Sequence, residues 1–483
     1  MSLKIMTAKG IGWQLGTNFA QKIVQFITTI IIARRLGPAN YGLFALTLTI
    51  VSTFELFKSL GIDAALMKRK DDINEAANTA FVIIPFLGIF LYCILLLTAS
   101  LIGQYVGNKD FIPVVKVLGL VFVFSGLARV PAVLLERNLE YKKISIAEFI
   151  SSFFFSACAI ALTFLDFEIW SLVYAYVGKV FIYSFLIISS SKWKLTFKFK
   201  KRVALDMLNF GKYIFLTSTA WFVKKNLDNV LVGKYLGVEK LGFYSIAFNI
   251  SNFSTDYFGN KIFRVVFPSY SRLQDDVEGL KRAFLKTFKI TALIAIPFGV
   301  CVFFLGGDFV KVAYGNRWIG VTTVLTFLAF SGVFNSLNSI FSALFMAVNK
   351  PKFGFWMMAI ELVVFVLFIV PAAMLFNLNG VGFIVSFSSL LSFLLGLFVC
   401  KVRLGIRLGS IFNSLKSSFL ISIVLICLIL IIKKFLSAFL RYHVFISLPL
   451  LSSIVVIFYF ICGVLTEKQL FKEIVGLIRR HKT

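Results

Sequence analysis

Histidine is nearly missing from this chain: its 483 residues include two, His443 and His481, both near the end. A Ser-His-Asp or Cys-His constellation, or a histidine-based metal site, is hard to build from that supply. The six cysteines (Cys93, Cys158, Cys301, Cys400, Cys427, Cys462) are scattered through apolar stretches without a C-x-x-C pair, so they read as small hydrophobes. Acidic residues are scarce, 22 against 50 Lys and Arg. Alternating strand-length segments are absent, which removes a membrane β-barrel. The N-terminus shows no signal-cleavage region, so the first apolar stretch is taken as a retained span.

Hydrocarbon, by contrast, is abundant. Hydrophobic residues make up 59% of the chain and mean hydropathy is +0.91. Ordinary soluble chains are about 45–50% apolar. The fold class is therefore an all-α polytopic membrane protein with about fourteen transmembrane helices, each a run of roughly 20 residues. The first half supplies Gly10–Ala33, Tyr41–Met67, Thr79–Ile102, Phe111–Leu135, Ser145–Leu165 and Ile169–Ser189. The second half continues with Phe210–Gly233, Leu241–Phe267, Ile290–Leu305, Gly320–Val348, Phe353–Phe376, Asn379–Cys400, Ser417–Ile432 and Val444–Leu465. The expected organisation is an N-terminal lobe over 1–190, a basic linker over 191–209 and a C-terminal lobe over 210–400. Two further helices occupy 401–465, and a basic tail follows over 466–483. That tail reads either as an interfacial amphipathic helix or as a solvated basic segment.

The net charge of +28 is not a nucleic-acid signal, because of where it sits. Alternate loops divide sharply: one set, with both termini, holds roughly 30 of the Lys and Arg and the other about 10, a positive-inside asymmetry. It predicts cytoplasmic termini and contact with anionic membrane lipids. All loops are short, the longest being 190–209 and 268–289, both on the cytoplasmic side. No extracytoplasmic loop has room for a catalytic domain.

An internal duplication runs through the chain. Arg34-Arg35-Leu36-Gly37-Pro38-Ala39-Asn40-Tyr41-Gly42-Leu43-Phe44 and Lys234-Tyr235-Leu236-Gly237-Val238-Glu239-Lys240-Leu241-Gly242-Phe243-Tyr244 share one pattern, basic-x-Leu-Gly-x-x-x-x-Gly-apolar-aromatic. A second echo pairs Phe124-Ser125-Gly126 with Phe330-Ser331-Gly332. Six spans separate the copies, so the halves are parallel repeats.

Polar stripes cross the apolar spans. The first carries Gln14, Asn18, Gln21, Gln25 and Thr28 with Lys22 beside them; its counterpart carries Ser218, Trp221, Lys225 and Asp228 beside Lys224. The second span carries Thr49, Ser52, Glu55, Ser59 and Asp63, and the eighth Asn249, Asn252, Asp256, Asn260 and Arg264. Such faces cannot meet lipid and must meet protein or water. About ten bases lie inside spans, at about 2.5–3.5 kcal/mol each on insertion scales. Lys116, Lys212 and Arg264 lie near span ends, where snorkelling accommodates them. Lys22, Arg129, Lys179, Lys224 and Lys225 lie deeper and are the candidates for contact with an anionic solute. Gln14, Asn18, Gln21, Gln25, Asn249 and Asn252 are candidate hydrogen-bonding cavity residues. In this division the first helix offers hydrogen bonds and the seventh offers charge. Glu55, Asp228 and Asp256 read either as sites for H⁺ or Na⁺ coupling or as structural partners of nearby lysines. No cofactor and no metal site is expected.

The chain resembles the polysaccharide-transporter (Wzx/WzxC-like) branch of the multidrug/oligosaccharidyl-lipid/polysaccharide exporter superfamily over nearly its whole length. The resemblance rests on Gly12-Trp13, Ala33-Arg34 leading to Tyr41-Gly42-Leu43, Gly61-Ile62 before Lys68-Arg69-Lys70, and Leu139-Glu140-Tyr141. It continues through Arg264-Val265-Val266-Phe267-Pro268-Ser269-Tyr270-Ser271-Arg272-Leu273-Gln274-Asp275-Asp276 and Tyr314-Gly315-Asn316-Arg317-Trp318. It implies a MATE-like fold of two pseudo-symmetric six-helix lobes forming a V, plus two C-terminal helices. It further implies flipping of undecaprenyl-pyrophosphate-linked oligosaccharide across the bacterial inner membrane by alternating access, alongside polymerase and glycosyltransferase partners. The alternatives are a cation-coupled drug exporter of the same fold and an integral-membrane polymerase or acyltransferase. The polymerase would need a long outer loop and the acyltransferase a buried histidine.

Overall fold

The computed structural model describes residues 3–193 and 196–435, with Phe458, Tyr459 and Glu467; side chains are described from Gln21 onward, excepting 221, 257, 258, 260, 261, 264 and 265. The expected last span, the basic tail, His443, His481 and Cys462 lie outside the described residues, apart from those three positions. Long apolar segments in hydrocarbon can satisfy their backbone groups only internally, so they become helices.

The order is α1 (Leu3–Ser59), α2 (Ile62–Lys68), α3 (Ile73–Val106), α4 (Phe111–Leu118), α5 (Val121–Arg137), α6 (Tyr141–Phe164), α7 (Ile169–Ser190) and α8 (Lys201–Leu236). It continues through α9 (Val238–Ser251), a π-helical turn (Thr255–Gly259), α10 (Asn260–Arg272), α11 (Val277–Ala313) and a 3-10 turn (Asn316–Trp318). The described helices end with α12 (Gly320–Ala347), α13 (Pro351–Leu404) and α14 (Leu408–Phe435). The expected spans up to Ser417–Ile432 fall on these helices: α13 carries two, α1 carries the first and most of the second, which continues into α2, while Phe111–Leu135 is divided between α4 and α5 and Leu241–Phe267 among α9, the π-helical turn and α10. α1 breaks at Gly37 (φ 76°, ψ 173°) and α13 at Asn377 (φ 53°, ψ −141°). Among the described residues, nine helical stretches are long and apolar enough to cross a membrane. α8 is not one of them, because its polar face dilutes its hydropathy.

Two expected loops are largely helix. α11 starts at Val277, where the Asp276 carboxylate accepts a 2.8 Å hydrogen bond from the Gly279 amide and caps the first turn. Leu280, Phe284 and Phe288, at helical spacing, are buried with Phe341. α8 likewise starts at Lys201, because Val203 and Met207 pack into the cluster built on Ile62, Leu66 and Phe81.

The helices pack as two compact units that divide between Gly242 and Phe243. The lobe division expected from the repeat lay between 190 and 210; as packed, α8 belongs with the first unit. The first unit is centred on Ile32, Leu95, Phe111 and Phe122, and the second on Phe284, Phe288, Phe341 and Phe345.

The duplication is visible in the backbone. Gly37 and Gly237 adopt nearly the same conformation, φ 76°, ψ 173° and φ 87°, ψ 167°. This region suits glycine alone. Five residues on, the second glycines pack reciprocally: a Cβ on Gly42 would strike the Val238 carbonyl oxygen, and one on Gly242 would strike the Pro38 carbonyl oxygen. The repeated pattern therefore binds its own copy, backbone against backbone. The second echo is used differently: Gly126 admits Pro85 of α3, and Gly332 admits the Ser251 carbonyl.

Gly42→Val and Gly242→Val are each expected to lower the apparent melting temperature of the detergent-solubilised protein, by about 1–3 kcal/mol of overpacking. Conversely, a Val at Gly409, which has no neighbour within 4 Å of its would-be Cβ, should leave the melting temperature nearly unchanged.

Candidate functional site

The stripe on the second span builds a cavity inside the first unit. α1 runs on to Ser59, turns through Leu60 and Gly61, and continues as α2. Both Leu60 (φ 46°) and Gly61 (φ 77°) have positive φ, and this bend presents Ser52, Glu55, Ser59 and Asp63 to one space. The cavity holds about 530 Å³ and is completed by Ser125, Arg129, Tyr183, Phe215, Ser218 and Phe222, among others, from α5, α7 and α8. Beside it Gly61 lies so close to Gly211 of α8 that a side chain on either would strike the other's backbone. The Lys68 ammonium sits 4.4 Å from the Phe210 ring centroid and ties α2 to the same helix.

Two ion pairs line this space. Lys58 donates to Glu55 Oε1 at 2.8 Å and to Ser125 Oγ at 2.5 Å. The Ser125 hydroxyl lies 2.9 Å from the same Glu55 oxygen and 2.6 Å from the Val121 carbonyl. Lys58 is only 8% exposed, so in this low-dielectric setting its charge requires those partners. Arg129 donates through Nε and Nη2 to Asp63 Oδ2, at 2.9 and 2.5 Å. Asp63 Oδ1 accepts the Ala64 amide at 3.0 Å. Arg129 Nη1 reaches Glu136 at 3.8 Å, an ion pair too long for a hydrogen bond. The lining thus carries two cations and two carboxylates. The excess of bases expected along the spans is absent from this cavity.

Of the candidate residues, Glu55 and Arg129 line the cavity. Gln14 and Asn18 lie on α1, with side chains outside the description. Gln25 is exposed; Gln21 Nε2 is buried without a hydrogen-bond partner in the structure. Thr28 is buried and donates to the Val24 carbonyl at 2.7 Å. Lys22 on α1 and Glu148 on α6 both lie within electrostatic reach of Lys179 on α7. The Lys179 ammonium also sits 5.8 Å from the Phe155 ring. Lys224 is half-buried, Lys225 exposed and Asp228 buried on α8; Asp228 accepts the Asn229 amide at 2.8 Å. None of these lines the cavity.

Asn249, Asn252 and Asp256 belong to the second unit, where Asn249 and Asp256 are exposed. Asn252 is buried; it donates to the Phe248 carbonyl at 3.2 Å and accepts from Asn335 at 3.4 Å. Nearby, Ser254, Thr255 and Ser336 lie within 3.4 Å of the Gly332 carbonyl beside the π-helical turn. This second polar cluster is built from hydroxyls and amides. Charge and neutral polarity also divide between the units. α8 carries its lysines within the first unit, which also holds the ion pairs, and the second unit holds this neutral cluster. Residue-by-residue reading passed over Lys58, Ser125, Asp63 and Tyr183 as site residues. The available signal was the stripe of Thr49, Ser52, Glu55, Ser59 and Asp63, of which all but Thr49 line the cavity. Among the described residues, no group of three His, Cys, Asp or Glu side chains is placed to hold a metal ion.

Residues 31–323, more than half of the chain, match the family described as polysaccharide biosynthesis protein. The chain belongs to this family. The lipopolysaccharide biosynthesis protein WzxC of Escherichia coli (strain K12) is 24% identical over 366 residues, covering 74% of this chain and 73% of its own length. Among solved structures, the lipid II flippase MurJ in an inward closed conformation superposes with a TM-score of 0.71 at 14% identity, covering 94% of this chain and all of MurJ. An inward-facing MATE family multidrug resistance transporter gives 0.64 at 16% identity, covering 80% of this chain and 94% of that one. The fold is MATE-like and the protein is a multi-pass membrane protein, as the resemblance implied. The family's Tyr314-to-Trp318 stretch has a packing role here: Trp318 is fully buried, edge-on to Phe243 at 6.1 Å.

Asp63→Ala is expected to destabilise the protein by about 1–3 kcal/mol, because it strands the Arg129 charge. Asp63→Ala combined with Arg129→Leu should recover part of that loss. Thermal unfolding of the four members of the cycle in detergent checks the ordering.

Proposed function

We propose that this member of the polysaccharide biosynthesis family is a flippase. It moves an oligosaccharide linked through pyrophosphate to undecaprenol across the bacterial inner membrane by alternating access. The carrying observation is a cavity of ion pairs and hydroxyls inside the membrane-spanning first unit of a chain from this family. Hydroxyl and carboxylate oxygens suit sugar hydroxyls, and Arg and Lys suit phosphate oxygens. The names borne by WzxC and MurJ lend support, since one serves lipopolysaccharide biosynthesis and the other flips a lipid-linked cargo. In this reading both termini are cytoplasmic, glycosyltransferases supply the cargo and a polymerase receives it. Glu55, Asp228 or Asp256 takes up H⁺ or Na⁺ to couple the cycle to an ion gradient.

A drug exporter of the same fold is the second reading. What favours it is that two carboxylates, Phe215 and Phe222 line the same cavity, groups able to receive an organic cation.

Deletion of the gene separates the two. The flippase reading expects a lipid-linked saccharide to accumulate on the cytoplasmic leaflet, with loss of surface glycan and unchanged drug susceptibility. Raised drug susceptibility with normal glycan would overturn it. Restoring the gene as Lys224→Ala or Lys225→Ala is expected to give reduced export at normal membrane insertion.

A further inference from the structure

We propose that Asp63 and Glu55 are stand-in anions. They occupy Arg129 and Lys58 while the cavity is empty, and a diphosphate displaces them when cargo binds. The inference rests on the reading of the cargo as a diphosphate ester.

The two cations are incompletely used. Arg129 spends Nε and Nη2 on a single oxygen, Asp63 Oδ2, rather than on a two-oxygen fork. Its Nη1 reaches Glu136 only at 3.8 Å, so among the described residues that edge of the guanidinium makes no short bond. Lys58 has three donors, and its hydrogen bonds to Glu55 and Ser125 use two. Both cations face one cavity of about 530 Å³, a size in the range that takes small ligands. A diphosphate offers oxygens on adjoining phosphorus atoms and can satisfy a guanidinium fork and an ammonium together.

The carboxylates supply the other half of the cycle. An empty carrier that held two uncompensated cations in hydrocarbon would bear a large desolvation penalty. With Asp63 and Glu55 in place the lining is neutral and the empty protein can reset. Displacement is feasible because neither acid is sealed in: their side chains are 18% and 29% exposed. Asp63 also keeps the Ala64 amide as an alternative partner. On this view the acids weaken cargo binding and thereby allow release.

Inorganic pyrophosphate binding to the purified, detergent-solubilised chain tests the idea by calorimetry at low ionic strength. Asp63→Asn and Glu55→Gln are isosteric and remove the competing charge. Each is expected to tighten pyrophosphate binding at least fivefold, and Arg129→Gln in the Asp63→Asn background should abolish the gain. A second arm uses neutral phosphatidylcholine nanodiscs containing an isoprenyl diphosphate. The same ordering there assigns the site to the lipid-borne diphosphate as well as to the free one. Unchanged or weaker pyrophosphate binding in both folded single variants overturns the proposal. Should one variant fail to fold, the other decides. Tighter binding in variants of a protein whose deletion leaves glycan export intact would sink the flippase reading and leave this inference standing.

Discussion

A charge placed in hydrocarbon must be neutralised by the protein itself, and the first unit is organised around that requirement. Arg129 on α5 finds Asp63 on α2, and Lys58 on α1 finds Glu55 and Ser125. These bonds join segments 66 and 67 residues apart in the chain. They determine where α5 sits against the bend at Leu60 and Gly61, and hence the shape of the cavity between them. Bases outside the spans have a different role. Arg137 bonds the Leu66 and Met67 carbonyls at 3.2 and 3.1 Å, where α2 ends, and Lys143 bonds the Ser190 carbonyl at the end of α7. These bases close helix C-termini, where the macrodipole favours them.

Backbone contact is the second organising element. The Leu-Gly-x-x-x-x-Gly repeat gives two chain reversals of nearly one conformation, and their glycines let the reversals meet without side chains between them. Gly61 and Gly211 repeat the device near the cavity. Close-packed glycines let neighbouring helices approach closely in lipid, where no hydrophobic force drives helices together. Polar groups can then be enclosed between them. The two units use this differently, the first enclosing ion pairs and the second the hydroxyl and amide cluster around Gly332.

Much of this was legible beforehand, and the particular residues show why. Span positions follow from apolar run length, which hydrocarbon thickness imposes on any chain. The stripe of Ser52, Glu55, Ser59 and Asp63 was readable as a wet face because helical periodicity is local. The helical starts of α8 and α11 were missed because charge suggested loops, while the buried Val203, Met207, Leu280 and Phe284 found their partners only in the fold. Arg129 reads as a cation for solute because it lies deep in its span; its partner Asp63 lies on another helix.

By itself the sequence determined that this chain crosses a membrane many times, that it contains a duplication, and which helix faces are polar. Hydropathy and periodicity are properties of short segments, so no partner is needed to read them. Tertiary structure alone decided which polar faces share a space and which charges cancel. The polar groups of the second span, Ser125 and Arg129 of α5, Tyr183 of α7 and Ser218 of α8 come from separate elements, and only packing makes them one site. A charge's meaning in low dielectric depends on what stands within a few ångströms of it.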